Sequence, residues 1–397
     1  MNHSLFNAAV LMLLLNVYSI QAQEITNSQV QWHGFLTQGF IQTSDNSFFG
    51  DSENGSFDLT ELGLSASYRA SESVLLAGQV LSRNAGEMYD ATLTIDFLLI
   101  DYTLYNSESG KAGVRLGRIK NSLGLYNETR DVAFTRPGIF LPEVIYFDKV
   151  RNLVLSSDGL MFYHDIFTLN GNYSMIFGAG KFRVDKNVEI AYLIEDRPGK
   201  LRADGLTMLF TGFYTAADET VKLGLSAALS DMKYSPGAGD FLQAGNTNFK
   251  YWVASAQYNQ EKWSLSAEYM QEPIQWENYG PFFPDNEVTA EAFYLQSTFR
   301  LLPKIEFMFR YEEGYANKDD KNGVKASALT GGFIPAFNQF SKVLTVGIRR
   351  DISPVLMVRA EYQVHEGTFI LSSRENQNPA DLVKDWNLLS LLASYRF

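Results

Sequence analysis

The chain has 397 residues, a net charge of -12 and an isoelectric point near 4.9, and it contains no cysteine. That balance excludes a phosphate-backbone partner, so no nucleic acid is expected. The missing thiols exclude disulfides, thiolate metal sites and thiol nucleophiles.

The chain opens on a mostly apolar block over 5–15, too short to cross a bilayer, followed by Ile20, Gln21 and the small Ala22. This reads as a signal peptide over 1–22 ahead of a single unit over 23–397, although its first residues carry His3 and no Lys or Arg. No later apolar run approaches the roughly 18 residues a spanning helix needs. A closed barrel is the other way to satisfy the backbone in lipid. Its alternating faces average to a mildly polar score, such as the mean hydropathy of -0.13 here, and 14% aromatic residues suit interfacial girdles.

Strands over 30–43, 92–105 and 157–164 are placed mainly by the rhythm of the chain. Others alternate cleanly with period two. Leu169, Tyr173, Met175 and Phe177 alternate with Thr168, Asn170, Asn172 and Ser174, and Val221, Leu223, Leu225, Ala227 and Leu229 stand against Lys222, Ser226 and Ser230. Trp263, Leu265, Ala267 and Tyr269 alternate with Ser264, Ser266 and Glu268, and Ile305, Phe307, Phe309 and Tyr311 with Glu306, Met308, Arg310 and Glu312. Leu356, Val358, Ala360, Tyr362 and Val364 alternate with Met357, Arg359, Glu361, Gln363 and His365. About sixteen strands result, an even number that puts both termini on the periplasmic side.

The connections alternate in length. Short ones are expected at 70–72, 106–110, 164–166, 216–220, 259–262, 302–304 and 351–354, and long ones at 45–55, 84–91, 119–156, 180–204, 231–247, 272–287, 313–338 and 366–384. A soluble sandwich has no reason to sort its loops this way. The predicted fold is all-β: a closed antiparallel transmembrane β-barrel with short periplasmic turns and long external loops. Tyr68, Tyr258, Trp263, Phe299 and Tyr395 would form the periplasmic girdle, with Phe177, Trp252 and Tyr311 toward the outside. Leu389, Leu391, Ala393, Tyr395 and Phe397 share one face of a last strand that ends on an aromatic residue.

The third long connection is also the longest, at a length where median loops run to about five residues. Pro137 and Pro142 stiffen it, and Phe134, Phe140, Tyr146 and Phe147 give it apolar surface for docking inside a barrel. An inward-folded constriction loop over 118–156 is therefore expected. Within and before it, Arg118, Lys120, Arg130, Arg136, Lys149 and Arg151 outnumber Glu128, Asp131, Glu143 and Asp148. The predicted lumen wall carries Arg69, Arg83, Lys222, Arg310, Arg349 and Arg359 among Glu61, Asp101, Glu268, Glu306 and Glu361. Opposed charges around a narrow aqueous passage would set its ion preference. The alternative role for each is a salt bridge holding the loop to the wall.

The segment Gly117-Arg118-Ile119-Lys120 followed by Gly124-Leu125-Tyr126-Asn127, with the aromatic C-terminus, resembles proteobacterial outer-membrane porins of about this length. The Tyr395 and Phe397 end resembles the signal read by the barrel-assembly machinery. The resemblance implies a passive channel for small hydrophilic solutes and ions in the outer membrane of a Gram-negative cell. It also implies a homotrimer, contact with outer-membrane lipid and lipopolysaccharide, and no cofactor. The charge count favours weak anion preference or none, and a solute-specific anion porin is the alternative. A non-conducting adhesin or receptor and a barrel enzyme are the readings from other classes. His33, His164 and His365 stand apart, and no Gly-x-Ser-x-Gly or His-Glu-x-x-His motif occurs. The acidic groups Asp45, Asp51, Glu53 and Asp58, and later Asp319 and Asp320, lack EF-hand spacing, so no metal is expected.

Overall fold

The structure is a computed structural model describing residues 30–397, and the expected signal peptide lies outside the described residues. Sixteen strands follow in order: β1 (Val30–Thr43), β2 (Ser56–Arg69), β3 (Val74–Ala85), β4 (Tyr89–Ser107), β5 (Gly110–Lys120), β6 (Ser156–Thr168), β7 (Gly171–Phe182) and β8 (Lys200–Ala216), then β9 (Val221–Ser235), β10 (Asn246–Asn259), β11 (Trp263–Glu277), β12 (Asn286–Leu302), β13 (Ile305–Tyr315), β14 (Phe340–Asp351), β15 (Leu356–Gly367) and β16 (Asp385–Arg396). Each pairs antiparallel with its sequence neighbours, and β1 closes on β16 from Phe35 opposite Arg396 to Thr43 opposite Leu388. Closure leaves no open edge, so every strand has two partners. The seam is finished by Gly34 and Phe397, whose backbone groups exchange two hydrogen bonds of 3.0 Å. Glycine is needed there because a Cβ on Gly34 would stand 2.3 Å from the Phe397 ring.

The alternation sorts the two faces as the pattern requires. On β9, Leu225 is 47% exposed on the exterior while its neighbour Ser226 is fully buried toward the interior. The apolar exterior stops before the strands do. Beyond Phe177, Trp252 and Tyr311, toward the long loops, the next outward positions include Lys181, Lys250 and Glu313. At the opposite end Tyr173 packs on Tyr214 (5.1 Å between ring centres) and Tyr258 on Trp263 (5.4 Å), with Phe299 exposed beside them. A greasy belt edged by aromatic rings is the surface a barrel shows to lipid. No helix among the described residues is long and apolar enough to cross a membrane.

Several expected boundaries move, the long connections placed at 180–204, 231–247 and 272–287 shrinking to 183–199, 236–245 and 278–285 as the strands run on. The turn placed at 164–166 falls at 169–170, because β6 runs on to Thr168. His164 does not end the strand; it lies on the exterior, its Nε2 2.6 Å from the Tyr105 hydroxyl. The long connection placed at 84–91 shrinks to 86–88, since β3 and β4 pair out to Asn84 opposite Asp90 by way of bulges. One of those bulges also turns Asp96 into the interior, a position strict alternation does not reveal.

Candidate functional site: the segment folded into the lumen

The connection from β5 to β6 turns inward and occupies the bore. Its neck is tied by Asn121 N–H donating to Leu155 O (3.1 Å) and by the Asn127 side-chain amide donating to Asn121 O (2.9 Å) and Val154 O (2.7 Å). From there it descends toward the short-turn end, where the Phe134 ring lies under the guanidinium groups of Arg349 (5.6 Å) and Arg396 (4.3 Å), and then climbs back. Among residues 121–155 only Glu128, Thr129 and Thr135 are exposed. The sequence reading expected a constriction, and the loop lies across the lumen with nearly all of its residues buried.

Wall residues from all around the barrel hold it. Glu268 on β11 accepts from Leu125 N–H (2.8 Å) and from the hydroxyls of Ser255 (2.5 Å), Tyr146 (2.5 Å) and Tyr294 (3.0 Å). Gly124 makes this approach possible: its φ is +64°, and a Cβ there would lie 2.4 Å from the Tyr146 hydroxyl and 2.8 Å from Glu268 Oε1. Ser226 Oγ accepts from Gly124 N–H at 3.1 Å. On the other side Arg310 donates to Phe140 O (3.1 Å), Arg359 to the carbonyls of Arg136 and Gly138, and Arg349 to Phe134 O (3.3 Å), while Glu361 accepts from Ile139 N–H.

A buried ionic network completes the clamp. Arg83 pairs with Glu61 and with Asp148 (3.1 Å each), and Arg136 pairs with Glu61 (3.1 Å). Lys120 pairs with Asp96 (2.7 Å) and Asp131, Arg151 with Asp131 and with Asp148 (3.4 Å), and Arg130 with Asp148 (3.4 Å). Glu143 accepts from Asp148 N–H at 3.2 Å, and Lys149 donates to Phe369 O near the long-loop end. Removing one partner from such a network strands the other charge, which costs about 3–5 kcal/mol. The charges are spent on fixing the loop.

Arg118, expected in the constriction, lies outside this cluster. It points to the exterior, where it makes a bidentate pair with Asp158 (2.7 and 2.9 Å), because β5 presents Val114, Leu116 and Arg118 on one face. Arg69 is exposed at the short-turn rim, and Glu306 pairs with Arg300 (3.3 Å). Water reaches the interior beside Glu128, whose carboxylate stands 3.9 Å from Arg115 on β5, itself paired to Asp101 (3.1 Å). Ser255, Tyr294, Asp96 and Glu312 were not singled out from the sequence. Ser and Tyr on an inward face carry no local mark of what they bond. Glu312 was legible only as an inward residue, and it is tied to Arg310 at 2.8 Å.

The long loops cap this arrangement. Phe48 and Phe49 stack on each other and meet Phe140 edge-on (5.3 and 5.7 Å), and Phe369 meets Phe147 at 5.1 Å. Loops 44–55 and 368–384 are latched by Glu375, whose carboxylate accepts from Phe49 N–H (3.0 Å) and Gly50 N–H (2.7 Å). Burial pushes the Glu375 carboxyl up to about 7, against the backbone donors that favour its charged form, with Glu87 adding to the rise. A carboxyl raised on folding binds its proton more tightly in the latched state. The latch is therefore strongest below about 4.5 and weakens as pH rises through about 7. Protection of the Phe49 and Gly50 amides, taken as their exchange rate relative to the intrinsic base-catalysed rate, should fall over that interval, and Glu375→Gln should abolish this loss of protection. Glu268→Leu should release the loop, since it orphans four buried donors at about 1–3 kcal/mol each. Proteolysis within 121–155 in the folded barrel should report it, while Glu268→Gln should keep much of the protection.

The closed sixteen-strand barrel with its third long connection folded inside is the architecture of the outer-membrane porins. Its solved likenesses include OprB of Pseudomonas putida (TM-score 0.60, 11% identity, 93% of this chain and 94% of that one). They include the anion-selective porin of Comamonas acidovorans (0.56, 12%, 93% and 99%) and the channel DcaP of Acinetobacter baumannii (0.57, 12%, 93% and 97%). At such identities the likeness is one of fold. No protein-family profile matches the chain, and no curated protein matches it.

Proposed function

We propose that this chain is an outer-membrane porin of a Gram-negative bacterium, a passive channel for small hydrophilic solutes and ions whose passage is set by residues 121–155. The observation that carries the reading is that segment, clamped across the lumen of a barrel with a lipid-facing belt. The fold supports assigning the short turns to the periplasm and the long loops to the outside. The site residues act in this reading as a clamp and not as a charge filter: Lys120, Arg130, Asp131, Arg136, Glu143, Asp148 and Arg151 hold the loop, with Arg83, Glu268, Arg310, Arg349, Arg359 and Glu361 as their wall partners. Weak anion preference falls to the partly solvated groups, where Arg115 and Lys222 face Glu128.

A homotrimer belongs to the same proposal, supported by a Vibrio cholerae OmpT solved in a trimer form that shares this fold (TM-score 0.54, 12% identity). The proposal assigns no catalysis. No imidazole of the three described histidines bonds a serine or a carboxylate among the described residues; His365 stacks on Trp386 and bonds Gln363 (3.0 Å), and His164 bonds Tyr105. The extent of loop burial favours one second reading, a surface receptor whose bore stays filled. Planar-bilayer recording separates the two. Discrete conductance steps with a reversal potential of weak anion preference support the porin; a silent, correctly folded barrel supports the receptor, and strong cation selectivity removes the assignment to Arg115 and Lys222.

A further inference from the structure

The exterior carries a groove of about 440 Å³ across β14, β15, β16, β1 and β2. Its floor follows one register row: Arg350 opposite Val358, Val358 opposite Ala393, Ala393 opposite Gln38 and Gln38 opposite Thr60. That row begins one residue from the short-turn end of β14 and ends near the long-loop end of β2, so it climbs diagonally through the greasy belt. Ile348, Leu391, Phe40 and Phe57 form its upper bank. Ala360 and Ala393 keep it shallow-walled, and Gln38 lies flat, its amide donating to Phe57 O (2.9 Å) and Leu59 O (3.2 Å) and accepting from the Thr60 hydroxyl (2.9 Å). A polar side chain at lipid depth is thus fully bonded and offers an apolar trough rather than a polar hole.

At the lower end the trough meets a charge. Arg350 is exposed, lies just beyond the apolar belt, and its side chain has no hydrogen-bond or ion-pair partner among the described residues. We propose that the trough is a binding site for one anionic glycerophospholipid of the periplasmic leaflet, with an acyl chain along the Val358–Ala393–Gln38 row and the phosphate on Arg350. This rests on the membrane reading above. Charge complementarity selects the occupant: a guanidinium binds a phosphate through paired N–H donors, and the trough rising from it suits a flexible hydrocarbon chain. The row itself holds no acidic residue to pair with Arg350, so the charge calls for an anion from outside the chain, and a neighbouring copy seated on this face is an outcome of the test below.

The test is native mass spectrometry of the full folded chain in detergent, supplied with palmitoyl-oleoyl phosphatidylglycerol or with the diacylglycerol of the same chains. One phosphatidylglycerol per chain should be retained, and the diacylglycerol should be retained about tenfold less, the scale of one charge-assisted hydrogen bond. Arg350→Ala should lower phospholipid retention by about the same factor and Arg350→Lys should restore part of it. Ala393→Phe, which fills the trough with a residue lipid tolerates, should lower retention of both lipids. Equal retention by wild type and Arg350→Ala would overturn the proposal, as would lipid-free oligomers that dissociate on Ala393→Phe, which would show a second copy on this face. Failure of the protein to insert into phosphatidylglycerol vesicles would instead remove the membrane reading itself.

Discussion

Replacing residues 121–155 with a two-residue Asn-Gly turn should yield a barrel that still folds and conducts several-fold more than the full chain. Lys120 and Ser156 are already register partners, so a tight hairpin can join β5 to β6 without moving either strand. The wall does not depend on the loop for its own pairing, because all sixteen strand contacts are made between barrel strands. Glu268, Arg359 and Glu361 would lose their loop partners, but they would lose them to water, which solvates the exposed charges. Single-channel conductance before and after the exchange measures how much of the bore the loop denies to ions. An unchanged conductance would mean that ions pass outside the clamp or do not pass at all.

Leu225→Arg should destabilise the folded barrel by about 2–4 kcal/mol, the cost of an arginine at mid-membrane on a lipid-facing strand. Leu225 is outward and half-exposed within the apolar belt. From alternation alone, the neighbouring Ser226→Arg would be expected to be harmless, because Ser226 faces an aqueous lumen. The structure corrects that expectation: Ser226 is fully buried, and its hydroxyl accepts Gly124 N–H at 3.1 Å. An arginine there meets the loop, not water. The two variants should therefore differ in kind. A denaturant titration in lipid vesicles should shift strongly for Leu225→Arg, whereas Ser226→Arg should mainly dislodge the loop and raise conductance. Equal shifts in the titration with no change in conductance would contradict both assignments.

The charge pattern shows where reading a sequence reaches its limit. Arg310, Arg349, Arg359, Glu268 and Glu361 could be assigned to the interior because a period of two leaves only two faces. Whether an inward charge lines water or grips a loop depends on what else is in the bore, and that is a contact between residues more than a hundred positions apart. Arg118 failed for a local reason. It was grouped with Lys120 as part of the loop, yet it belongs to the outward row of Val114 and Leu116. Asp96 was missed because a bulge breaks the period on which the face assignment relies.

The sequence by itself determined the barrel: its even strand number, its short and long connections, its belt and its aromatic end all follow from side-chain period and turn chemistry, which act over a few residues. It also marked the third long connection as the segment folded inward. Only the tertiary structure decided that this segment is buried across the lumen, that Glu268 gathers two donors from it and two from the wall, and that most of the arginines expected to face solutes bond backbone carbonyls and carboxylates instead. Those outcomes come from burying a long polar segment inside a closed wall. Every N–H, carbonyl and charge taken out of water there must find a partner across the barrel.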